Sequence, residues 1–174
     1  MTTLRCTRKL ARRLTITPGA EDLRPTNRLG DWYANALNIG HRRLVLCVNE
    51  KSLLSVILPA RDLRQLPSRL PDAVRSLLRR LGVPPEIAAS EIEAMLPISV
   101  GLTRSRSVVG SMVDLGREAT FLLAPPGPHS PVADVELALA GVPCLQLEPH
   151  GFPFRAVGAL LGVDVPTPEW RVLH

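Results

Sequence analysis

The chain has 174 residues and a mass of 19.0 kDa, enough for one domain that buries about two-thirds of its unfolded surface without disulfide or metal staples. Apolar residues make up 45% and charged residues 21%, which excludes wholesale disorder, and the longest aliphatic run, Leu44 to Val48, is far too short for a membrane span. The net charge of +5 hides an asymmetry: residues 1–80 hold 16 Lys+Arg against 6 Asp+Glu, whereas residues 81–174 hold 5 against 10.

Leu4-Arg5-Cys6-Thr7 reads as a short strand, and Leu10 and Leu14 put one apolar stripe on an otherwise cationic helix over 8–14. Thr17-Pro18-Gly19 breaks it, and 17–27 reads as a loop. Gly30 to Asn38 suits a short helix with Trp32 and Ala36 inward and Gly40 at its end. The strongest signal follows: Arg43–Val48 and Leu53–Leu58 flank Asn49-Glu50-Lys51-Ser52, which predicts a β-hairpin with both faces covered. Pro59 stops its second strand.

Downstream, Leu70, Ala73, Val74, Leu77, Leu78 and Leu81 form one helical face, with Pro71 in the first turn and Gly82 terminating it. Pro84-Pro85 starts another helix with Ile87, Ile92, Met95 and Leu96 inward. A third begins near Ser105 or Ser107 and carries Val108, Val109, Met112 and Val113, with Gly110 and Ser111 small enough for close approach of a neighbour. Ala124 to Pro128 reads as a linker. After it come a helix capped by Ser130 and running to Gly141, a strand at Cys144 to Leu147, and a helix lined by Phe154, Val157, Leu160 and Leu161.

Arg5-Cys6-Thr7-Arg8-Lys9-Leu10, Arg28-Leu29-Gly30-Asp31-Trp32-Tyr33-Ala34-Asn35, Val48-Asn49-Glu50 ahead of Leu58-Pro59-Ala60-Arg61, and Ser105 through Asp114 stand in an order and spacing of their own. Together they resemble an uncharacterised bacterial domain family of unknown function over roughly residues 4–123. Leu-Gly-Asp-Trp-Tyr-Ala-Asn and Arg-Ser-Val-x-Gly-Ser-Met are the most specific stretches, and the tail after Pro125 lies outside the resemblance. The resemblance implies a domain boundary and no activity, cofactor or catalytic residue.

Three chemistries compete. Asp31 and Asn35, four apart, would share one side of a helix, and with Trp32, Arg104, Arg106 and Ser107 they are the candidate ligand site; Asp31 as a helix cap is the structural alternative. Arg104, Ser105, Arg106 and Ser107 before a helix form a candidate anion site, with Ser107 as a simple N-cap the alternative. Arg5, Arg8, Lys9, Arg12, Arg13, Arg42 and Arg43 are the candidate nucleic-acid contacts, although arginine outnumbers lysine 19 to 2, a bias that a GC-rich coding sequence also produces. No Cys-x-x-Cys or His-x-x-x-His pattern suggests a metal site, no nucleotide-binding loop is present, and no cofactor is expected.

The expectation is an α+β fold: a small, mainly antiparallel sheet around a central hairpin at about 43–58, packed by several helices. Residues 1–123 form the family-like domain, and 124–174 form a linker and an extension that packs on it. The lack of a signal peptide and the unclustered Cys6, Cys47 and Cys144 point to the bacterial cytoplasm. The leading functional expectation is a non-catalytic binding or regulatory protein, with nucleic acid or another protein as the candidate partner. The alternatives are a hydrolase or nuclease with a site near Asp31/Asn35 and Arg104/Arg106, and a protein-interaction or homo-oligomeric assembly component. No membrane partner is expected.

Overall fold

The fold is taken from a computed structural model, which describes residues 1–14, 24–124 and 131–169. It is α+β. Five strands, β1 (Thr2–Cys6), β2 (Trp32–Ile39), β3 (Arg42–Asn49), β4 (Ser55–Pro59) and β5 (Ile98–Leu102), form one sheet in the order β4-β3-β2-β1-β5. The β2–β3 and β3–β4 pairs are antiparallel and contribute most of the paired residues, while β1 runs parallel to both β2 and β5. Among the described residues six helices surround the sheet: α1 (Arg8–Leu14), α2 (Leu66–Arg80), α3 (Pro85–Met95), α4 (Arg106–Leu123), α5 (Val132–Ala140) and α6 (Pro153–Leu161).

The two sides of the strands sort the core. Leu4 and Cys6, Trp32 and Ala34, Val45 and Cys47, Val56 and Leu58 point to one face, where they meet α1, α2, α3 and α6. Tyr33, Leu44, Leu46, Val48 and Ile57 point to the other, where Val108, Met112, Leu115 and Ala119 of α4 and Val135 and Leu139 of α5 cover them. This is why the strand sequences of the hairpin are continuously apolar rather than alternating. The hairpin itself occupies one side of the sheet, with β4 at the edge and β2 in the middle.

The middle strand is the main departure from the sequence reading. Residues 32–39 are extended, not helical, and all eight pair with β3, from Trp32 opposite Asn49 to Ile39 opposite Arg42. Gly40, with φ 55°, makes the turn between the two strands. A segment rich in Ala, Leu and Asn has weak strand preference, but the ladder on β3 and burial on both faces override it. Smaller differences have equally local causes. β5, unassigned from sequence, pairs residue for residue with β1. Helix α2 begins a turn early, because Leu66 extends the apolar stripe, so Pro71 lies inside the helix and Pro67 takes the first turn. Leu96 lies just past α3 and is 53% exposed. Residues Leu145–Leu147 form a 3-10 turn rather than a strand. Gly110 has no neighbour within 4 Å of where a Cβ would sit, so no close approach requires it. Most of the loop expected at 17–27, the linker from Pro125 and the Ser130 cap lie outside the described residues.

Candidate functional site

Half of the α4-side face is polar. On β1, Leu4 and Cys6 point to the α1 side, so Thr3 and Arg5 point to the other; on β5, Ser99 and Gly101 share that face with them. The Ser99 hydroxyl donates to Thr3 Oγ1 at 3.2 Å, and Gly101 leaves room for the Arg5 guanidinium, whose nearest nitrogen is 3.7 Å from the position a Cβ would take.

Asp31, fully buried, organises this half-face. Its Oδ1 accepts from the Thr3 amide at 2.9 Å, and its Oδ2 accepts from Arg5 Nε at 2.7 Å. Arg104, following β5, brings a guanidinium nitrogen to 3.6 Å from Asp31 Oδ2 and 4.0 Å from Glu50 Oε2. Glu50 in turn accepts from the Asp31 amide at 3.1 Å through Oε1. Two carboxylates and two guanidiniums thus close a network that joins β1, the start of β2, the β3–β4 turn and the approach to α4. Asn49 completes the turn: its amide donates to the Leu29 and Asp31 carbonyls, and its Oδ1 accepts from Ser52 at both N (2.9 Å) and Oγ (2.8 Å).

This arrangement reassigns most residues of the expected ligand site. Asp31 and Arg104 do meet. Asp31 is an ion-pair centre rather than a helix cap, and Glu50, from the hairpin connection, is drawn into the network. Asn35 lies four positions on from Asp31 along extended chain, about 13 Å away instead of one helical turn; its Oδ1 accepts from Thr7 Oγ1 at 2.9 Å. Trp32 points to the opposite, α1-side core and is fully buried. Arg106 is exposed at the first position of α4. Ser105, not Ser107, caps that helix, its side chain accepting from the Val108 amide while its own amide donates to the Tyr33 hydroxyl. Ser107 donates to Gln146 Oε1 at 3.0 Å. Of the expected anion site, Arg104 is turned towards carboxylates, Ser105 and Ser107 bond internal partners, and Arg106 is exposed.

Two buried glutamates escaped the sequence reading. Glu91 on α3 accepts from the Leu29 and Arg28 amides and from Asn27 Nδ2, at 2.9, 3.1 and 3.0 Å. Glu136 on α5 accepts from the Ile57 amide of edge strand β4 at 2.7 Å and is bonded to Arg80. Burial raises the Glu136 pKa above its ordinary value, outweighing the Ile57 and Arg80 bonds that lower it. Both glutamates stand on the inward stripes of their helices, beside Ala88 and Ile92 and beside Val135 and Leu139, and an acid on such a stripe is the signal that marks them.

The cationic residues gather elsewhere. β1 and β2 run parallel, β3 begins where β2 ends, and β4 ends opposite the start of β3. One end of the sheet therefore carries α1, the Gly40 turn with Arg42 and Arg43, and the link after β4 with Arg61 and Arg64. Helix α1 touches β2 and the 3-10 turn Leu63–Gln65, which ties these pieces together. Leu10, Ala11 and Leu14 bury one side of α1, leaving Arg8, Lys9, Arg12 and Arg13 exposed. Arg42, Arg43, Arg61 and Arg64 are exposed too, and none of these eight makes an ion pair among the described residues. Arg5 does not belong with them: it is 5% exposed and committed to Asp31.

A cleft of about 350 Å³ lies between α4 and residues 142–146, lined by Ser111, Asp114, Glu118, Cys144 and Gln146. Burial raises the Cys144 thiol pKa, which keeps it protonated and a weak nucleophile. Cys6 and Cys47 are buried, and burial pushes the Cys6 thiol up to about 12. Among the described residues no group of three or more His, Cys, Asp or Glu side chains is placed to hold a metal ion, and no helix is long and apolar enough to cross a membrane.

No curated protein and no solved structure matches the chain. A family model does: it spans residues 3–156, from β1 through α5 into α6, and so takes in both the Asp31 network and the cationic end. The chain belongs to the family described as Domain of unknown function (DUF6933).

Proposed function

We propose that this protein is a non-catalytic binding protein of the bacterial cytoplasm that holds nucleic acid through the cationic end of its sheet. The observation that carries the reading is the set of exposed cations from α1, the β2–β3 turn and the β4–α2 link, with no ion pairs among the described residues. Surface arginines produced by codon bias alone would have no reason to collect on three segments at one sheet end. Such an array attracts phosphates and gains free energy by releasing their counterions.

An enzymatic reading draws less support. Asp31 is enclosed, and its oxygens are taken by the Thr3 amide and Arg5. The thiols are held protonated by burial. The reading is tested by fluorescence anisotropy with labelled DNA and RNA oligonucleotides across a salt series. The expected outcome is an affinity that falls linearly with salt on logarithmic axes and weakens in Arg12→Ala/Arg13→Ala. Absence of binding, or binding indifferent to salt, would remove it.

A further inference from the structure

We infer that the cationic end is built for a double-stranded nucleic acid held by its two phosphate backbones, and not for a single strand held by its bases. This rests on the nucleic-acid reading above and deepens it.

The first ground is what the surface lacks. Single-strand binders combine a cationic groove with aromatic platforms on which successive bases stack. The segments that carry the cations, residues 8–13, 42–43 and 61–64, contain no Phe, Tyr or Trp, and the chain has only six in all, five of them among the described residues. Trp32, Tyr33 and Phe154 are buried in the core. Phe152 packs against Phe154 and under the Arg155 guanidinium. Phe121, 75% exposed, stands on the solvent side of α4, where Leu122 and Leu123 turn inward, and one ring cannot stack successive bases.

The second ground is rigidity. Helix α1 is pinned by Leu10, Ala11 and Leu14, and Arg42 and Arg43 lie on paired strand residues opposite Ile39 and Asn38. The link after β4 is clamped by Arg69, whose guanidinium donates to the Pro59 and Arg61 carbonyls at 3.1 and 3.0 Å. Cations fixed on three separate segments suit phosphates that are themselves at fixed spacing on two strands; a flexible strand would have to be ordered to meet them.

The third ground is electrostatic. Each duplex phosphate neutralised releases about 0.9 counterion against about 0.7 for a single strand. With about six contacts and no stacking to offset it, that difference favours duplex by about tenfold near 0.1 M salt.

The test is fluorescence anisotropy of the full chain with one blunt DNA duplex and each of its component strands, over a salt series. The duplex is expected to bind about tenfold tighter than either strand, with Arg42→Ala/Arg43→Ala reducing the magnitude of the salt slope by about 2. Phe121→Ala is expected to bind the duplex as the parent does. Strands that bind as tightly as the duplex, or a Phe121→Ala loss as large as that of the arginine variant, would overturn the duplex inference and leave nucleic-acid binding standing. Failure of duplex and strands alike would overturn both. So would phosphatidylserine vesicles that compete the duplex away at equal anion concentration.

Discussion

Asp31 shows how much one buried side chain can tie together. It receives a backbone amide of β1, the Arg5 side chain of the same strand and an outlying Arg104 nitrogen, while its own amide bonds Glu50. Removing one partner of a buried ion pair strands the other in low dielectric, so Asp31→Ala is expected to cost about 3–5 kcal/mol in chemical denaturation. The Arg104 side chain is 45% exposed, and water replaces much of what it loses. Arg104→Ala should therefore cost about 1 kcal/mol or less in the same assay. Equal losses would show that the network is not ordered around Asp31. Glu136 sets a second expectation. Its folded pKa is raised above the unfolded value, so the native state holds the proton more tightly. Its contribution to stability is greatest below the ordinary glutamate range and is lost as pH rises through the raised value. Stability of the parent relative to Glu136→Gln should fall over that interval and then level; a difference that grows with pH would contradict the sign. The sequence drew attention to Asp31 through its unusual neighbours, but its main partner lies 26 residues earlier on a strand two residues out of register with it. Such a pairing is a property of the sheet, not of any local spacing.

Among the elements, legibility followed the source of each one's stability. The β3–β4 hairpin was readable from two apolar runs around a polar turn, and α1, α2, α3 and α6 from apolar periodicity, all written locally. Strand β2 was not: Ala, Leu and Asn tolerate a helix, and only pairing with β3 makes the segment extended. Strand β5 is five residues long with a glycine inside, and its partner is almost a hundred residues away. Two glycines in helices test the packing directly. Gly110 is exposed in the interior of α4 with nothing where a Cβ would go, so Gly110→Ala should raise stability by about 0.5–1 kcal/mol. A Cβ on Gly158 would lie 2.7 Å from the Val163 carbonyl oxygen, so Gly158→Ala should cost about 1–3 kcal/mol despite alanine's better helix propensity. Thermal unfolding of the pair should shift in opposite directions, and shifts of the same sign would refute the packing at α6.

On the scale of the molecule, the charge asymmetry of the sequence is partly resolved inside the fold. Arg80 from the basic half pairs with Glu136 from the acidic half. The cations of α1 and of the β2–β3 turn stay outside that pair, which is why the same sequence feature reads as neutralised in one place and available in another. The Asp31 network and the cationic end also divide the labour: the first holds strands together, while the second is left to solvent.

The parallel placement of β1 between β2 and β5 has a consequence for biosynthesis. Thr2–Cys6 is made well before Ile98–Leu102, so one of its flanks stays open until that strand follows. At about 5–20 residues per second the wait is about 5–20 s. Throughout it the nascent chain presents an unfilled strand slot, the interval in which a holding chaperone, or a neighbouring polysome product, would find it most receptive.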